Sequence, residues 1–178
     1  MPTPEIQSYV DLRLVRVVLR EHSDQQWIFL EESEPAEGSA PRGFPIVIGS
    51  GEAGEIHRLL TDIDTPRPLT HQLAAQAIGA LGSRILGADI IDLRANTFYA
   101  RLRLSRPTDE GSEVEEITLD ARPSDAVALA LRHGAQIRVT ESLLEQVRTD
   151  NATDALPPTS EEETSDEDEP DSTGEADL

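Results

Sequence analysis

A chain of 178 residues with 15 arginines, no lysine, 35 acids and a formal net charge of −20 suits one domain, or one domain and a tail. The absence of cysteine excludes disulfides, thiolate metal sites and cysteine nucleophiles, and no apolar run approaches the roughly 18–20 residues that span a bilayer. The acidity opposes nonspecific attachment to nucleic acid or to anionic membrane, since cationic charge drives both. Met1–Glu5 lacks a basic cluster followed by an apolar stretch, so the expectation is a soluble cytoplasmic protein with no membrane partner.

Gln7–Arg20 is rich in Val and Leu with loose alternation and reads as a long strand, paired through a hairpin with Gln25–Glu32. Ser33–Gly43 holds two prolines and two glycines and reads as a loop, and Phe44–Gly49 as a short apolar strand. Gly49-Ser50-Gly51 opens a helix at about Glu52, with Ala53, Ile56, Leu59 and Leu60 on one side. After the connector Thr61–Pro68, Thr70 is placed to cap a second helix with the apolar stripe Leu73, Ala74, Ala77, Ile78 and Leu81, ended by Gly82.

Ser83–Leu93 reads as a strand, Arg94-Ala95-Asn96 as a tight turn, Thr97–Ser105 as the returning strand and Glu115–Asp120 as another. Pro123-Ser124-Asp125 starts a third helix, with Ser124 as cap and Asp125 where the helix dipole favours an acid. Its body, Ala126–Leu131, is apolar on every side and should be buried. Gln136–Thr140 is a last strand and Glu141–Val147 a short closing helix.

Strands in runs followed by helices predict an α+β fold with mixed or antiparallel sheets. Three strands and a helix occur twice, over 7–62 and 83–134, which suggests an internally duplicated strand-strand-strand-helix unit. From about Thr149 the composition changes. Twelve acids and no base lie in 150–178, and such a segment buries too little apolar surface to offset its chain entropy. The expected organisation is a domain over 1–148 and a disordered acidic tail over 149–178.

GxGxxG, HExxH and GxSxG are absent, and GxxxxGK[ST] is impossible without lysine. Of the four histidines, His22, His57 and His133 fall in turn, surface and helix-end positions. His71 is the informative one, because Arg67-Pro68-Leu69-Thr70-His71 sets a guanidinium, a hydroxyl and an imidazole at one helix entrance. Asp120-Ala121-Arg122-Pro123-Ser124-Asp125 is the densest polar cluster of the domain. Two carboxylates across such a turn could share a divalent cation while Arg122 meets a phosphate oxygen. Alternatively Ser124 caps, Asp125 complements the dipole and Arg122 pairs with Asp120. Along Thr97–Ser105, Tyr99, Arg101 and Arg103 share one face, suited to phosphate and base or simply to solvent.

Asp120–Arg132 (DARPSDAVALALR) followed by Gly134-Ala135, with RPLTH at Arg67–His71, TFYA at Thr97–Ala100 and FPIVIGSGEA at Phe44–Ala53 with Ile56, resembles the bifunctional nuclease domain family. The resemblance covers roughly residues 7–147 and implies a compact α+β domain, usually homo-oligomeric. It implies hydrolysis of phosphodiester bonds in DNA and RNA, with magnesium or manganese as cofactor. The family positions that map here are Glu52, Arg67, Thr70, His71, Tyr99, Asp120, Arg122, Ser124 and Asp125. On that basis Asp120, Asp125 and Glu52 hold a metal or activate water, with Asp120 and Asp125 as the metal ligands, and His71 is the acid or base. Arg67, Arg122, Ser124, Tyr99, Arg101 and Arg103 then bind substrate. The sequence departs from the family pattern at Gln72, usually Asp, and at Asn96, usually Gly. The alternative is a noncatalytic binding or regulatory module whose acidic tail solubilises it or meets a partner.

Overall fold

The computed structural model describes residues 7–108 and 114–148. The tail expected over 149–178 lies outside the described residues. Along the described chain run β1 (Tyr9–Val18), β2 (Gln25–Glu32), β3 (Gly43–Gly49), α1 (Ser50–Leu60), α2 (Thr70–Ala80), β4 (Arg84–Arg94), β5 (Thr97–Pro107), β6 (Val114–Ala121), α3 (Pro123–Arg132), β7 (Gln136–Thr140) and α4 (Glu141–Val147). All seven strands form one mixed sheet in the order β3-β2-β1-β7-β4-β5-β6. β1–β2–β3 and β4–β5–β6 are antiparallel meanders, and β7 joins them, antiparallel to β1 and parallel to β4. Each meander leads into a helix. The likeness ends there, because β7 and α4 follow the second meander and have no counterpart after the first.

Alternation sets the two faces of the sheet. Leu12, Ile28, Leu30, Ile46, Ala88, Ile90, Ala100, Ile137 and Val139 point to the helices and form the main core with Ala53, Ile56, Val127 and Leu144. Each fully buried Ile, Leu or Val here contributes roughly 1.5–3 kcal/mol. α3 is buried from Pro123 to Ala130 apart from Asp125, as its all-round apolar sequence requires. The sheet curls around it. Phe44 on the edge strand β3 stacks on Phe98 of β5, near the opposite edge, with ring centroids 5.4 Å apart.

Two helix starts differ from expectation. Thr70 is the first helical residue and Leu69 the cap, while Ser124 is the second residue of α3 and Arg122 the cap. Proline prefers the first helical position, where its missing N–H costs nothing. Pro123 at that position therefore moves the cap one residue before itself, and Ser124 turns inward at 6% exposure.

Arg103 is the larger departure. Its guanidinium is buried, with Nε 3.0 Å from Asp89 Oδ1, and Arg138 holds the same carboxylate at 2.9 and 2.8 Å. Gly87 makes room for it. A Cβ at that position would stand 2.7 Å from Arg103 Nη2 and would run into the Gln136 carbonyl oxygen. Gly87→Ala is expected to lose about 1–3 kcal/mol, measured as a lowered denaturant midpoint; an unchanged midpoint would contradict this packing.

Acid stability has a sign. Hydrogen bonds from Arg42 hold Glu32 below its ordinary value against the opposing effect of burial. Burial pushes Glu55 upward, but hydrogen bonds from Arg132 and Arg58 outweigh it and hold that carboxyl below its ordinary value too. Groups depressed in the folded state take up protons first in the unfolded one, so their stabilisation is complete above about pH 4.5 and disappears as pH falls through the folded values. Stability should be level between about pH 5 and 8 and decline below. Glu55→Gln should flatten the acid limb, which denaturation at stepped pH would reveal.

Candidate functional site

The first turns of α1, α2 and α3 converge, and the third residue of each helix is Glu52, Gln72 and Asp125. Unpaired N–H groups and the helix dipole favour acceptors at these places. The three positions then diverge in use. Gln72 Oε1 accepts from the Leu69 N–H at 2.8 Å and from the Thr65 hydroxyl at 3.0 Å. It therefore works as the helix's own cap and holds the connector, a service an aspartate there would also give.

Glu52 and Asp125 instead meet Arg122. Its Nε donates to Asp125 Oδ2 at 2.7 Å, and its Nη2 to Asp125 Oδ1 at 3.1 Å and to Glu52 Oε1 at 2.5 Å. His71 Nε2 lies 2.9 Å from Asp125 Oδ1. The result is a continuous chain of contacts, Glu52–Arg122–Asp125–His71. Gly49 is part of its geometry, since a Cβ there would stand 2.5 Å from Glu52 Oε2.

Burial raises the Asp125 carboxyl, but the hydrogen bonds from Arg122 and His71 prevail and hold it below its ordinary range. Asp125 and Glu52 in turn raise the Arg122 guanidinium above its ordinary value. An ionised carboxylate only accepts, so Nε2 of His71 carries the proton in the neutral ring and Nδ1 keeps a lone pair. Exposure peaks at Arg122 and falls on either side: its side chain is 66% exposed, those of Asp125, Glu52 and His71 28%, 17% and 15%. A cleft of about 520 Å³ opens beside Arg122 and Ser124, between β3 and the β4–β5 turn.

Of the residues singled out from sequence, Glu52, His71, Arg122, Ser124 and Asp125 are thus brought to one place. Asp120 is not. It pairs in register with Arg101, on the sheet face away from the helices, whereas Asp125 begins a helix on the covered face. Tyr99 and Arg101 share that outer face, with Arg94 stacked over Tyr99 at 5.2 Å. Arg103 is consumed by Asp89, and Arg67 is exposed with no side-chain contact to the cluster. The donors do not fit a preformed divalent-cation site. Asp120 and Asp125 lie on opposite sides of the sheet, the Asp125 oxygens are occupied by Arg122 and His71, and no three His, Asp or Glu assemble around one point among the described residues.

The family model of the bifunctional nuclease domain matches residues 34–152, which include all four members of the contact chain. The chain belongs to the bifunctional nuclease domain family. Beyond the family match, an uncharacterized protein of Mycobacterium tuberculosis is 37% identical over 136 residues, covering 76% of this chain and 74% of that relative. Bifunctional nuclease 1 of Oryza sativa subsp. japonica is 27% identical over 99 residues, or 56% of this chain, and this chain spans 29% of its length. The same figures hold for the bifunctional nuclease of Oryza minuta. β1 and β2 precede the matched segment, and Gln25 is the one cleft residue of this bifunctional nuclease domain that lies outside the match. No helix among the described residues is long and apolar enough to cross a membrane.

Sequence reading missed Gln25 and Val47 as cleft residues and took Asn96 for a turn residue only. Nothing in their local pattern marks them, because the curl of the sheet makes the cleft.

Proposed function

We propose that the protein hydrolyses phosphodiester bonds of DNA and RNA at the Glu52–Arg122–Asp125–His71 chain of contacts. The observation that supports this most is the joining of an oriented imidazole to a largely exposed guanidinium at the edge of an open cleft. Arg122, permanently charged, receives the phosphate and offsets the charge that grows on its oxygens. Glu52 steadies the guanidinium from its other side. Proton transfer falls to His71, the one member with a free lone pair on nitrogen. It takes a proton from the attacking water as the water oxygen bonds to phosphorus, Asp125 stabilises the imidazolium that forms, and the imidazolium gives the proton to the alcohol oxygen that leaves as the old phosphorus–oxygen bond breaks. A water nucleophile is required because DNA lacks the 2′-hydroxyl. The reaction is written through these residues, and magnesium, manganese and chelator are arms of its test.

The test incubates the whole chain with labelled single- and double-stranded DNA and RNA, beside a His71→Ala, Asp125→Ala double variant of intact fold. Cleavage lost in the variant supports the reading; cleavage that persists places the activity elsewhere. The second reading, a noncatalytic binding module, is favoured by one fact. Every carboxylate oxygen of Asp125 is already engaged, as in a clasp that ties helix ends together. No cleavage of any substrate by folded protein would select it. A cytoplasmic setting and a homo-oligomeric state accompany the proposal, and a native mass measurement checks the latter.

A further inference from the structure

α2 is apolar on two sides and covered on one. Ala74, Ala75 and Ile78 pack with Leu102, Leu104 and Leu129 in a small second core, and Ala75 is the one residue of the helix that is fully buried. Leu69 at the N-cap, Leu73, Ala77 and Leu81 at the C-cap follow one another at intervals of four and are all exposed, Leu73 by 61% and Leu81 by 82%. Such spacing draws one continuous ridge across the outer side of a helix. A helix apolar all round belongs in an interior. α3 has that cover and α2 lacks it.

The apolar surface extends past the helix. Leu119 of the edge strand β6 is 46% exposed and shares a sheet face with its register partner Leu102, beneath α2. Just beyond the last turn, Gly82, Pro107 and the exposed Val114 line one hollow.

Charge selects the occupant. The chain carries −20, yet α2 holds no aspartate, glutamate or arginine, and its one histidine is turned to Asp125. A basic partner would find nothing to pair with here. The chain's own residues 150–178, with twelve acids and no base, match an apolar ridge poorly. A two-fold contact sets a patch against itself, where like charges would meet, so a neutral apolar patch is the kind that complements its own copy.

We infer that a second copy of this chain docks on the outer side of α2, the two Leu69–Leu81 ridges packing into each other's grooves across a two-fold axis, at roughly the −50° crossing of i±4 packing. The inference rests on the homo-oligomeric state proposed above and on no part of the phosphodiester chemistry. Because α2 also carries His71, whose ring meets Asp125, the second copy steadies the helix that positions the imidazole.

Sedimentation velocity and native mass of the whole chain, over a wide range of concentration, should give a dimer that dissociates on dilution. Leu73→Glu and Ala77→Glu place a good helix former at exposed positions, and each should weaken association by about 30-fold or more, the scale of a central contact residue. Leu19→Glu, at a leucine just past β1 that is 49% exposed, should leave association unchanged. Hydrogen exchange at the α2 amides should slow as the dimer forms and stay fast at every concentration in Leu73→Glu. A monomer at every concentration would overturn the inference together with the homo-oligomeric state, and an oligomer that survives both α2 variants would overturn the inference alone. α2 amides equally protected at every dilution would assign the ridge to cover from within the chain, and that too would overturn it. Each result is reached without a nuclease assay, so it is distinct from failure of the catalytic reading.

Discussion

Asp125→Ala is expected to lower hydrolysis by about 10²–10⁴-fold, the range that positioned proton transfer contributes, with little change in folding. Asp125 orients both working groups: it accepts from His71 at 2.9 Å and takes Arg122 on two nitrogens at 2.7 and 3.1 Å. Without it the imidazole can adopt either tautomer and the guanidinium swings toward Glu52 alone. The carboxylate is partly exposed at the first turn of α3, so its removal costs helix stability on the scale of about 0.3–1 kcal/mol. Asp125→Asn is the sharper form. An amide keeps the shape but cannot accept on both atoms, so it can serve His71 or the Arg122 fork and not both. Because Asp125 is held below its ordinary range, it stays ionised and able to accept from both partners through neutral and mildly acid pH. Initial rates with folded variants settle the matter, and a change under about 3-fold in Asp125→Ala, a small fraction of that range, would remove Asp125 from the chemistry.

Glu55→Ala is expected to give the largest loss of stability, about 3–5 kcal/mol, the cost of removing one side of a buried ion pair. Glu55 lies on α1 one turn after Glu52, its side chain 2% exposed, between Arg58 Nη2 at 3.0 Å and Arg132 Nη2 at 2.5 Å. The Nε atoms of both arginines are buried with no partner. Without the carboxylate the two partly buried guanidiniums would lose the partner they share. At about 2–4 °C per kcal/mol the melting temperature should fall by roughly 6–20 °C. A double-mutant cycle with Arg132→Met isolates the pair, and an independent result, additive within about 0.5 kcal/mol, would show that the contact is not formed. Since Arg132 ends α3 and Glu55 sits in α1, the same contact holds the two helices whose first turns carry Arg122 and Glu52. Activity in Glu55→Ala should therefore fail on mild warming, whereas Asp125→Ala fails at every temperature.

Much of the architecture is legible in the residues. The alternation of Phe98, Ala100, Leu102 and Leu104 against Tyr99, Arg101 and Arg103 orders β5 as observed. The uninterrupted apolar body of α3 announces a helix buried on all sides. Arg103 shows the limit. Its place on the outer face is readable, but its burial against Asp89 depends on β4 and β7 meeting beside β5. Asp120 and Asp125 show another. Five positions apart in sequence they look paired, yet Asp120 faces outward near the end of β6 and Asp125 stands in the first turn of α3 on the covered side.

The sequence by itself determined which segments form helices, with their starts placed to within one or two residues, which strand residues face the core, and that His71 and Asp125 stand in first turns. These follow from local hydrogen bonding and from periods of 3.6 and 2, which need only neighbouring residues. Tertiary structure alone decided which of the polar residues meet. Glu52 and Arg122 are 70 positions apart and His71 and Asp125 54, distances over which no local rule acts. What joins them is the packing of α1 and α3 inside the curled sheet. The same curl brings Val47 opposite Asn96 and so creates the cleft.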